Sequence, residues 1–199
     1  MDPILIGYCA KKVAKRPDWL KVAHVEEICS AGNCVSDAPA GWHEFNPKRN
    51  AMWLNQNEEA AINSIVEPEN SSDFEIFAYK IFTIAFNEEA TEIPLTKQET
   101  KTIEAAKAAS NSVPLDYEFQ GYDCIVWSDY GGFGCSPLSC NSMAEEINVN
   151  SRCLLDTLES AIETMKHFEK KKERPEDEVE PGPYFIVEVW RKRRSSPSP

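Results

Sequence analysis

The chain has 199 residues, 42% of them hydrophobic and 27% charged, which are ordinary globular values and exclude wholesale disorder. Its formal net charge of −12 repels phosphate backbones. That excludes general nucleic-acid binding and permits a protein partner of basic character. No apolar run approaches the roughly 18 residues that a bilayer-spanning helix needs, so no membrane partner is expected.

The acidity is uneven. Residues 51–120 carry 13 acidic and 4 basic side chains, a balance of −9. At the N-terminus an acid stands at Asp2, and the basic residues follow a short apolar run rather than precede it. That order is not a signal peptide. Seven cysteines without an export signal predict a reducing, cytoplasmic setting and mostly free thiols.

In chain order, Ile4 to Ala10 is an apolar run of strand length, and 22–29 reads as a second strand. The span 35–50 reads as an ordered loop with Trp42, His43 and Phe45. Residues 57–66 read as a helix capped by Asn55 or Asn57. The segment 73–86 fits both periods, and its β-branched and aromatic content favours a strand. Thr96-Lys-Gln-Glu99 is a capping-box pattern that opens an exposed helix. Residues 122–127 form a strand that leads into a Gly-rich turn at Gly131, Gly132 and Gly134. Leu154, Leu155, Leu158, Ala161, Ile162, Met165 and Phe168 make a wide apolar stripe along a helix spanning 153–171. Tyr184 to Trp190 is apolar on both faces except at Glu188 and belongs inside the sheet.

The predicted fold is α+β: a single domain over 1–190 with a mixed or antiparallel sheet of about five strands. The helix 153–171 packs on one face, and 191–199 is a flexible basic Ser/Pro tail. No internal repeat stands out.

Two Cys-x4-Cys pairs suggest sites. Cys29, Cys34, Cys135 and Cys140 are the candidate ligands of a tetrahedral zinc, because a turn between two thiols brings both to one metal. The alternative is that these cysteines are small buried hydrophobes, and a chain of this length needs no metal to fold. No other cofactor is indicated. Cys135, Cys140 and Asn141 form the candidate functional loop. Cys135 follows a Gly-rich turn whose N–H groups suit a reactive thiol, with His24, His43 or His167 as base and Asp123 or Asp129 as orienting group. The glycines lack the Lys-Ser/Thr of a phosphate-binding loop. With no coherent catalytic set, the leading expectation is a non-enzymatic interaction or regulatory module with an acidic surface. The alternatives are a cysteine-dependent enzyme at the Cys135–Cys140 loop and a zinc-stabilised structural domain.

Overall fold

Two stretches that share a Gly-Tyr pair, Gly7-Tyr8 and Gly121-Tyr122, form the two edges of one antiparallel sheet. The computed structural model describes residues 2–32, 50–65, 73–83, 95–126, 133–171 and 182–194. The elements in order are β1 (Ile4–Lys12), β2 (Ala14–Lys15), β3 (Glu27–Ile28), α1 (Glu58–Asn63), β4 (Phe74–Ile81), α2 (Lys97–Ala109), β5 (Tyr117–Val126), α3 (Pro137–Cys140), α4 (Leu158–Lys171) and β6 (Tyr184–Lys192). A 3-10 turn at Met143–Glu145 follows α3.

The main sheet has four strands in the order β1-β4-β6-β5, and each adjacent pair is antiparallel. This corrects the expectation of about five strands. The strand read over 22–29 shrinks to Glu27–Ile28, which pairs only with Ala14–Lys15 in a separate two-stranded ladder. Its apolar residues do not alternate, so no sheet face holds them together as a longer strand. The doubtful segment at 73–86 is a strand over its described part, Phe74–Ile81, and residues 84–86 lie outside the described residues. Tyr184–Lys192 is interior, as its two apolar faces require, and it carries Arg191 and Lys192 into the strand rather than into a tail.

The chain is an internal repeat, which the sequence reading missed. Each half supplies an edge strand with a bulge, an Asn-centred turn, a helix and an inner strand. The bulges fall between Leu5 and Gly7 and between Phe119 and Gly121. In the first half the Asn50 amide donates to the Ile6 carbonyl, and its Oδ1 accepts from the Met52 and Leu54 N–H groups. In the second half Asn150 does the same with Gln120, Arg152 and Leu154. Trp53 (φ 63°) and Cys153 (φ 59°) hold the same left-handed position in each turn. Tyr8 then pairs with Asn55, and Tyr122 with Leu155, so each edge strand is bridged at one equivalent position.

This turn explains why α4 begins at Leu158 rather than at 153. The left-handed Cys153 and the bridge at Leu155 use those residues in another way. Thr157 then caps the helix by accepting from Ser160 N–H, as Asn57 caps α1 by accepting from Ala60 N–H. The helix α2 opens with the expected capping box at Thr96 and Glu99.

The helices α1 and α4 lie on one face of the sheet. Ala61 of α1 meets Tyr8, Ile76 and Ala78, while Ala161, Met165 and Phe168 of α4 meet Cys124, Tyr184 and Ile186. On the other face Ile103 of α2 and Phe133 close over Phe77, Tyr79, Val187 and Val189. Phe168 is fully buried, and a side chain of that size is worth about 3–5 kcal/mol against Ala.

Candidate functional site

Asp123 sits in β5 with no exposed surface, just before the buried run Cys124–Val126. Its Oδ2 accepts from the Ser30 hydroxyl at 2.7 Å and from the Ala31 N–H at 2.8 Å. Its Oδ1 accepts from the Ser136 hydroxyl at 2.6 Å. One carboxylate therefore holds both cysteine turns, 29–32 and 134–136. The turns are in direct contact: a Cβ on Gly32 would lie 2.9 Å from the Gly134 carbonyl oxygen and 3.0 Å from the Ser136 nitrogen.

Lys11 engages the same turn from its other side. It is 2% exposed, and its ammonium donates to the carbonyls of Ser30, Ala31 and Gly32 at 3.1, 3.0 and 2.9 Å. All three ammonium protons are used. The Nζ also stands 5.7 Å from the centre of the Tyr79 ring. Burial pushes the Asp123 carboxyl above its ordinary value, against the pull of its hydroxyl and N–H donors and of Lys11. Burial likewise lowers the Lys11 ammonium, against the charges of Cys9 and Asp123. Both groups are held by partners within the protein. Together they fix two loops to a sheet: the ammonium has no proton left over, and the carboxylate, buried with no exposed surface, already accepts three hydrogen bonds.

The predicted site residues fall around this centre in different ways. Cys29 is buried, and its thiol donates to Glu27 at 3.7 Å. Burial and the Glu27 charge push that thiol up to about 12, far from a ready thiolate. Cys34 lies outside the described residues. Cys135 is disulfide-bonded, so in this state it is neither a nucleophile nor a zinc thiolate. Cys9, Cys29, Cys124, Cys140 and Cys153 carry free thiols. Cys140 is half-buried at the end of α3, where Asn141 closes the helix by donating its N–H to the Pro137 carbonyl. Among the described residues no three His, Cys, Asp or Glu side chains are grouped to hold a metal.

Of the candidate bases, His24 Nε2 lies 2.8 Å from the Val149 carbonyl and His167 lies 3.8 Å from Glu146. His43 and Asp129 lie outside the described residues. Asp123, expected to orient a base, instead holds the Ser30 and Ser136 hydroxyls and the Ala31 N–H. Lys11 was missed. The available signal was a lysine in register with the inward-facing residues of an apolar strand.

A second polar group, adjoining the first through the Lys11–Glu75 register, ties the end of β6 to β4, β3 and α1. Arg191 donates to Glu75 and to Glu27, Arg194 donates to Glu75 at 2.7 Å, and Lys192 donates to Glu58. Among the described residues no helix is long and apolar enough to cross a membrane. Comparison of the chain with protein-family models, with curated proteins and with solved structures finds no match. The fold defines the described chain as an antiparallel α+β protein whose two halves share the same bulged edge strand and Asn turn.

Proposed function

We propose that the chain is a non-enzymatic interaction module whose acidic surface meets a protein partner carrying basic groups. The observation that carries this reading is the state of Asp123 and Lys11. These buried charged groups lie in the region richest in candidate chemistry, and both are spent on tying the two cysteine turns to the sheet. The net charge of −12 supplies a long-range attraction for a basic partner and speeds encounter. The disulfide at Cys135 weighs against the cysteine-dependent enzyme, since a sulfur already bonded to sulfur is no nucleophile.

The test is affinity capture with the purified chain and its Cys140→Ser variant at low and high salt. A partner bound equally by both proteins at low salt, and released at high salt, supports the reading. Loss of the partner on Cys140→Ser would return the function to the cysteine loop.

A further inference from the structure

The two halves of the chain place equivalent residues in unlike surroundings. Ile6 is the bulge residue of the first half and Met52 opens its Asn turn; they are 4% and 1% exposed within an apolar cluster that includes Ile103 of α2. Their counterparts in the second half are Gln120 and Arg152, fixed by the same Asn contacts. Among the described residues no second helix takes the place of α2 there. Gln120 and Arg152 instead line an open cleft of about 190 Å³.

That cleft departs from the charge of the rest of the molecule. Its lining sets five basic side chains, Arg152, Arg191, Lys192, Arg193 and Arg194, against Glu75 and Glu118, on a chain of net charge −12; behind the lining Arg152 and Arg191 also face Glu27, and Lys192 faces Glu58 and Asp116. Glu75 is already occupied by Arg191 and Arg194. Arg193 makes no ion pair among the described residues, and the Arg194 side chain is 75% exposed. One polar atom at the cleft is buried without a partner among the described residues, Gln120 Oε1, on a residue only 4% exposed; Arg152 Nε, also without a hydrogen bond, faces Glu27 at 3.9 Å. Buried polar atoms are ordinarily paired, so an acceptor left open beside an arginine cluster marks a place where a ligand completes the bonding.

We propose that this cleft, built on Gln120, Arg152, Arg193 and Arg194, is a docking site for an acidic polypeptide segment. Carboxylates of the segment meet the planar donor forks of the arginines, and one of its N–H groups donates to Gln120 Oε1. A whole small-molecule ligand usually fills about 300–1,000 Å³. The smaller cleft fits one or two side chains of a larger partner. The overall negative charge opposes a nucleic acid, which would bring a continuous run of phosphates onto the chain. The site is separate from any basic surface a partner offers the acidic face, so it stands or falls independently of the reading above.

The test uses the full chain and fluorescein-labelled hexaglutamate, followed by fluorescence polarisation at low salt. Binding is expected to weaken about tenfold or more in Arg152→Gln combined with Arg193→Gln, and severalfold in Gln120→Met, which keeps the side-chain volume. Arg193→Gln alone, at an exposed position, keeps the test valid if Arg152→Gln unfolds the chain, and it too is expected to weaken binding. Lys101→Gln, exposed on α2, is expected to leave binding unchanged. The proposal is overturned if hexaglutamate does not bind, if Lys101→Gln weakens it as much as the cleft variants do, or if labelled oligothymidylate binds more tightly than hexaglutamate.

Discussion

Lys11 and Asp123 grip opposite sides of one turn: the ammonium takes the carbonyls of Ser30, Ala31 and Gly32, and the carboxylate takes the Ser30 hydroxyl and the Ala31 N–H. The charges act through the backbone they share. Removing Lys11 strands three buried carbonyls and leaves Asp123 without its compensating charge. Lys11→Met is therefore expected to cost about 3–5 kcal/mol of stability in urea unfolding. Asp123→Asn removes the charge that faces Lys11 and replaces one carboxylate acceptor with an NH2 donor, with a similar expected loss. Losses under about 1 kcal/mol in both variants would show that the turn is held by other contacts.

Gly7 and Gly121 mark the two bulges of the repeat, with φ of 156° and 141°. A Cβ would lie 2.7 Å from Leu54 Cβ at the first and 2.8 Å from Leu154 Cβ at the second, and 2.8 Å from the carbonyl oxygen of Asn55 or Leu155. Neither partner carbonyl can withdraw, because each belongs to the bridge on its edge strand. Gly7→Ala and Gly121→Ala are each expected to lower stability by about 2–4 kcal/mol, and by similar amounts. A variant of either glycine that unfolds at the parent's denaturant midpoint would remove the equivalence of the two turns.

Tyr79 is fully buried, and its hydroxyl has no hydrogen-bond partner among the described residues. The ring packs on Phe77, Phe133 and the Lys11 ammonium, none of which needs the oxygen. Tyr79→Phe keeps those contacts and removes a desolvated polar group. The variant is expected to be about 1 kcal/mol more stable by thermal unfolding. A loss of that size would mean that the hydroxyl holds a bond in solution.

Much of the fold was legible because it rests on local patterns. The apolar runs at Ile4, Phe74 and Tyr184, the capping box at Thr96 and the stripe on α4 each announce one element. The repeat was not legible, because its shared residues are few and its insertions differ. Gly7 lies 43 residues before Asn50, whereas Gly121 lies 29 before Asn150, so no fixed period joins them. The meeting of the two cysteine turns was visible as a question, but Asp123 and Lys11 were hidden. Their partners are backbone groups and serine hydroxyls on loops from elsewhere in the chain, and such contacts leave no motif.

The free thiols differ in burial. Cys9, Cys29, Cys124 and Cys153 are buried, with burial as the first cause raising each thiol, to about 12 for Cys29 and Cys153. Cys140 is half-exposed. Iodoacetamide on the native chain near neutral pH is expected to label Cys140 first, and the four buried thiols only as fast as the chain unfolds. Peptide mapping that finds Cys29 or Cys153 labelled as quickly as Cys140 would contradict this order.

Glu75 links the ends of β4 and β6 to the rim of the arginine cleft. Burial raises its carboxyl, but the hydrogen bonds from Arg191 and Arg194 outweigh that effect and leave it below its ordinary 4.5. A carboxyl lowered on folding stabilises the native state above its unfolded pKa and loses that contribution as pH falls through the folded value. Glu75→Gln keeps the shape and removes the charge. At neutral pH it is expected to cost about 2–3 kcal/mol. As pH drops below 4.5 the parent should lose stability toward the variant, so the gap between their urea midpoints narrows. A gap that stays constant from neutral pH into acid would show that the Glu75 charge contributes nothing to holding β4 against β6.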